Sequence, residues 1–236
     1  VPQISDLDYV AFGWFLCCWF GYAFYVEHGP HKAKGMYHVL STYRRRWMFE
    51  MLKRENRILD STLMGNLLNA AVFFASTSIF VVGGLIAVLG SAEQVNTLLS
   101  ELPFNIGRAR WIWEAKVLIL VTIFVYGFFK FAWSVRLFNY CSILIGATPI
   151  TPRNDPDADK NPERYATAEK AAKIIDLASQ HFQRGLRAYF FGLATLGWLV
   201  HSTVFIFTCT WVVLVLYRRD FRSRSLRVFQ DDPDQG

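Results

Sequence analysis

The chain has 236 residues, 53% hydrophobic and 17% aromatic but only 19% charged, where a soluble domain carries about 25% charge. The apolar residues gather into a few long uncharged runs, which argues against an ordinary globular core and for a membrane protein with several spans. The net charge of +6 suits an anionic lipid surface better than nucleic acid, and no phosphate-cradling glycine loop, G-x-S-x-G elbow or H-E-x-x-H helix supports an enzyme.

The first run, residues 9–26, is crowded with Phe12, Trp14, Phe15, Trp19, Phe20, Tyr22, Phe24 and Tyr25, side chains suited to lipid and its interface. Gly13 and Gly21 leave room for a neighbouring helix. No small-residue cleavage site follows, so this run is expected to stay as an anchor. Farther on, Trp47, Met48, Met51, Leu52, Ile58, Leu59 and Leu63 recur at three and four residues, with charges on the other faces. That spacing predicts an amphipathic helix over about 41–65, running straight into a second apolar run at 70–89.

Residues 91–110, with Pro103 and Gly107, read as a short connection carrying a small amphipathic stretch. A third run covers 111–133, and 134–147 either continue it or form a re-entrant piece. Pro149, Pro152 and Pro156 then stop any helix. Asn161-Pro162-Glu163 restart one over about 162–186, Ala-rich and with Ile174, Ile175, Ala178 and Phe182 on one side, leading into a fourth run at 189–217. An acidic tail, Asp231-Asp232-Pro233-Asp234, closes the sequence. Cys17, Cys18, Cys141 and Cys209 lack the paired spacing of zinc or iron-sulfur ligands and read as small buried hydrophobes.

Eight Lys or Arg follow the first run and eight lie between the third and fourth, against Arg108 and Arg110 between the second and third. The two basic segments are therefore expected in the cytoplasm and both termini outside. Arg218, Arg219, Arg222, Arg224 and Arg227, after the fourth run, disagree. Either the tail is an exception or a re-entrant segment changes the count, and two loops outvote one tail.

Charged and polar residues inside or beside the spans are the candidate functional groups. Glu114 and Lys116 stand at one end of the third run, Lys130 and Arg136 near the other. The uncharged stretch 117–129 covers only about 20 Å, so at least one end must snorkel, thin the bilayer or face a polar cavity. One reading makes Lys130 and Arg136 interfacial anchors. Another turns them inward to pair with Asp60 or Glu55, fixing the bundle or lining an anion path, and a third gives them to a partner subunit.

Asn66 and Asn69 share one helical face, for an interhelical hydrogen bond or a pore lining. His201 is the one histidine deep inside a run. It reads as a packing residue bonded near Ser202 or Thr203, or else as a contact for haem, quinone or lipid. Glu27, His28, His31 and His38 form a basic loop rather than a recognised metal site, and neither metal nor cofactor is expected.

Trp113-Glu114-Ala115-Lys116, the run Phe129-Lys130-Phe131-Ala132-Trp133-Ser134-Val135-Arg136, and Arg45-Arg46-Trp47-Met48 with Arg57-Ile58-Leu59-Asp60 together resemble a family of four-span membrane proteins of bacteria and plants whose function is unknown. The resemblance covers roughly residues 6–219 and implies a membrane location, with no catalytic residues.

The expected architecture is an all-α integral membrane bundle, a single membrane domain over 1–236, with four transmembrane helices and two cytoplasmic amphipathic extensions. The expected role is non-enzymatic: a homo-oligomer in the lipid bilayer, or an accessory subunit bound to other membrane subunits, with no nucleic acid. An anion-selective channel or transporter, and a haem- or quinone-binding electron-transfer subunit, are the alternatives. A bacterial inner membrane, with the N-terminus outside, is the expected home.

Overall fold

The computed structural model describes residues 5–29, 35–91, 110–150 and 161–230. His31, Lys32, Lys34, Pro103, Gly107, Arg108, Pro152, Pro156 and the acidic tail lie outside them. The described residues form helices α1 (Asp6–His28), α2 (Met36–Met51), α3 (Ile58–Gly90), α4 (Arg110–Ala147), α5 (Pro162–Val200), α6 (Ser202–Phe221) and α7 (Arg224–Gln230), and no strand occurs among them. Three are long and apolar enough to cross a membrane: α1, α3, and α4 over Trp111–Ala147.

Local chemistry sets the helix starts. Ser5 caps α1 by accepting from the Leu7 amide, with Asp6 and Asp8 in the first turn where the helix dipole favours acids. Asn161 Oδ1 accepts from the Glu163 amide at 3.0 Å with Pro162 opening α5, the start that the sequence predicted.

Two expected helices are cut by the structure. The helix expected over 41–65 stops at Met51 and restarts at Ile58. Between them the Lys53 and Arg54 amides close turns onto Glu50 and Met51, and Asn56 Oδ1 accepts from the Ile58 amide at 2.9 Å. Asn56 thus competes with the helix ladder without any Pro or Gly to announce it. From Ile58 onward α3 passes Gly65 unbroken, and α4 runs through 134–147 as one helix, so that segment extends the third run.

The second correction concerns the run 189–217, which is two helices. His201 adopts an extended backbone (φ −159°, ψ 147°) and caps α6, its ring accepting from the Thr203 amide. Thr208 Oγ donates to the Ala194 carbonyl at 2.9 Å, and Trp198 stacks on Phe205 with centroids 4.7 Å apart, so α6 folds back antiparallel to the end of α5. Gly197 permits the close approach: a Cβ there would lie 3.0 Å from Thr208 Oγ and 3.2 Å from Val204.

The chain divides into two compact units. One comprises Val1–Met36, Ser78–Gly127 and Leu186–Gly236. Its core joins Phe15, Tyr22, Phe191, Trp198, Phe205 and Leu216. Here α1 and α6 run parallel, because Asp8 meets Ser202, Trp14 meets Thr210 and Tyr22 meets Asp220 in the same order. Asp220 therefore lies at the end of α1 where Glu27 pairs with Arg187 at 3.2 Å.

The other unit comprises Tyr37–Thr77 and Phe128–Gly185. Its core joins Met48, Met51, Met64, Phe138, Cys141 and Ile175. Within it α4 and α5 are antiparallel, Ser134 donating to the Ala178 carbonyl and Cys141 lying against the Ala171 carbonyl. Ala168, Ala171 and Ala178 are buried on α5 and let the backbones approach. At Gly185 a Cβ would come within 2.7 Å of the Phe131 ring, so any other residue there must displace that ring.

Candidate functional site

The first unit holds a carboxylate and an ammonium group deep in apolar surroundings. Asp8, in the first turn of α1, is 4% exposed, and Lys116, on α4, is 3% exposed. Lys116 Nζ lies 2.8 Å from Asp8 Oδ1. The same oxygen accepts from Trp198 Nε1 at 2.8 Å and from Ser202 Oγ at 2.5 Å. Lys116 in turn reaches the Trp198 carbonyl at 3.4 Å and sits 4.9 Å from the Trp198 ring centre.

The break at His201 makes this arrangement possible, since it brings the last turn of α5 and the first residue of α6 to one carboxylate. The hydrogen bonds that converge on Asp8 Oδ1, together with those that Lys116 Nζ donates, are what permit two charges to stay buried. Beside them lies a cavity of about 160 Å³, walled by Tyr9, Phe12, Trp111 and Trp198, with Asp8 and Lys116 on its lining.

The second unit has its own polar groups. Asp60 is fully buried, and its Oδ1 accepts from Trp47 Nε1 at 2.7 Å and from Arg54 at 2.5 Å. Arg57 donates to the carbonyls of Ile145, Thr148 and Pro149, closing the C-terminal end of α4. Burial, and then the neighbouring charge of Arg164, hold the Arg57 guanidinium below its usual range.

Arg44 pairs with Asp176 at 2.7 Å, and the Tyr37 hydroxyl donates to the Asp176 carbonyl. Burial pushes the Tyr37 hydroxyl upward, so it acts as a neutral donor. A second cavity, of about 290 Å³, is lined by Glu55, Arg57, Ser61 and Ser142 among others.

Of the residues singled out in the sequence, Lys116 enters the buried pair, while Glu114 beside it is half-buried. The inward pairing of Lys130 and Arg136 with Asp60 is corrected. Asp60 is taken by Arg54 and Trp47, Arg136 is exposed and bonds Tyr140 at 2.7 Å, and Lys130 stands half-buried with its charge acting on His181. Asn66 and Asn69 are exposed on α3 and have no hydrogen-bond partner among the described residues.

His201 serves as a helix cap bonded to Thr203 through Nδ1, one of the roles the sequence left open. Of the Glu27, His28, His31 and His38 group, His31 lies outside the described residues; no group of three or more His, Cys, Asp or Glu gathers among the described ones. Asp8 escaped the sequence reading. An acid in a first turn is what a helix dipole accounts for by itself, and its partner lies 108 residues away.

The model of the family described as "Protein of unknown function, DUF599" matches residues 10–225. The chain belongs to this family. No curated protein and no solved structure matches the chain. Family membership and three apolar helices of spanning length together mark a membrane protein.

Proposed function

We propose that the chain is a non-enzymatic protein of a bacterial inner membrane that acts by lateral assembly, as a homo-oligomer or as an accessory subunit among other membrane chains. The observation that carries this reading is the bareness of α3. In its most apolar stretch only 6% of the residues are buried, against 39% in the corresponding stretch of α4. Asn66 and Asn69 lie on that helix, exposed and unpartnered among the described residues. They stand at the entrance of the apolar run 70–89, where an Asn on a second α3 at the same depth donates and accepts in return, for about 1 kcal/mol or less per bond.

The same reading assigns sidedness within the first unit: with the N-terminus outside, α1 enters, the end of α5 rises to His201 and α6 returns, so that Arg218, Arg219 and Arg222 fall on the side of Glu27. In this reading the arginines after the fourth run agree with the positive-inside pattern, and the end of α6 is assigned to the cytoplasmic side. Oxidative cross-linking of Asn66→Cys and Asn69→Cys variants in native membranes, with native mass after gentle extraction, tests the assembly. A disulfide-linked dimer or a defined complex is expected. A monomer with no cross-link overturns it.

A further inference from the structure

The cavity beside Asp8 carries chemistry that lateral assembly does not use. Asp8 Oδ1 accepts three hydrogen bonds, from Lys116, Trp198 and Ser202, while Oδ2 accepts none among the described residues. An ionised carboxylate has lone pairs to spare on each oxygen, and Oδ2, which is not sealed off, keeps accessible surface on a side chain that lines the cavity. The cavity that Asp8 lines is about 160 Å³, close to the roughly 150 Å³ that accommodates a benzene ring. Its walls are aromatic and aliphatic: Tyr9, Phe12, Trp111, Ile112, Ala115 and Ile119. It lies between α1 and α4, both long and apolar enough to span, and is bordered by the exposed rings of Tyr9 and Trp111, side chains suited to a membrane interface.

A ligand that fits is one six-membered ring, apolar on its faces and bearing a hydrogen-bond donor at its rim. We propose that this cavity binds the hydroxylated aromatic ring of a membrane-borne quinol, the ring hydroxyl donating to Asp8 Oδ2 and the ring lying among Phe12, Trp111 and Trp198. Aromatic neighbours favour such a ring through stacked and edge contacts. The Lys116–Asp8 pair keeps the carboxylate in place as an acceptor. His201, the residue in the sequence that suggested a quinone contact, holds the helix break that brings Trp198 to the site.

The test uses the full chain in nanodiscs and 4-fluorophenol as the probe, followed by fluorine NMR, with 4-fluoroanisole as the analogue lacking the donor. Saturable binding of the phenol is expected, with the anisole weaker by at least about tenfold, the loss of one hydrogen bond to a charged acceptor. Tetramethylhydroquinone should displace the phenol, and Ala115→Phe, which fills the cavity and leaves the ion pair, should abolish saturable binding. Equal binding of the two probes in the wild-type chain overturns the proposal without reliance on any variant. Binding that survives Ala115→Phe, or that the hydroquinone fails to displace, overturns it too.

Discussion

Removing one charge of the Asp8–Lys116 pair should be far worse than removing both. Lys116→Met strands a carboxylate that is 4% exposed, with only Trp198 and Ser202 as donors. Asp8→Asn strands the ammonium group against an amide oxygen, the Trp198 carbonyl and the Trp198 ring. An uncompensated buried charge costs about 3–5 kcal/mol in either case. In the double variant, Asn keeps an oxygen for Trp198 and Ser202, and Met replaces the lysine stem at similar length, so the loss should fall to about 1–2 kcal/mol.

The expected coupling energy is then at least about 4 kcal/mol, several times that of an exposed pair. Urea unfolding in a mild detergent, followed by tryptophan fluorescence, measures all four proteins. Single losses below about 1 kcal/mol, or a double loss equal to the sum of the singles, would show that the pair is hydrated or independent and refute the reasoning.

Gly185→Ala should lower stability by about 1–3 kcal/mol, because the new methyl meets a Phe131 ring already held by Phe74 and Phe182. Gly83→Ala, with open space at its Cβ, is the control and should be neutral or better in the same unfolding assay; equal losses would contradict the packing account. Arg57→Gln should free the C-terminal carbonyls of α4 at a cost of about 1.5–3 kcal/mol, read as faster amide exchange confined to the last turn of α4 and its junction with α3.

His181 is held below its usual 6.5 by burial first and then by Lys130 and Arg184. The unfolded chain therefore takes up the proton first, so stability is unaffected by this group above that value and falls as pH drops through it. His181→Gln should flatten that acidic limb, and an unchanged pH profile would assign the limb to other groups.

Several features were legible in the sequence because they are local. Long uncharged runs specify helices of spanning length and Asn161-Pro162 marks a capped start, whereas the continuation of the third run through 134–147, left open by the sequence, is decided by the single helix α4. Hydropathy is blind, however, to whether an apolar run stays straight. Both sides of His201 are equally apolar, and the reversal there depends on its capping of Thr203, the Trp198–Phe205 stack and the bare Cα of Gly197.

The break at 52–57 likewise carries no Pro or Gly, its local marks being the turns at Lys53 and Arg54 and the Asn56 side chain that accepts from the Ile58 amide. Which charges meet was also beyond the sequence. Lys116 and Arg136 look alike along the chain, yet one faces Asp8 across 108 residues and the other faces outward to Tyr140. Burial of a charge is a pairwise free energy: it depends on whether an opposite charge and enough donors arrive at the same point. Only the packing of α1, α4 and the α5–α6 hairpin brings them there.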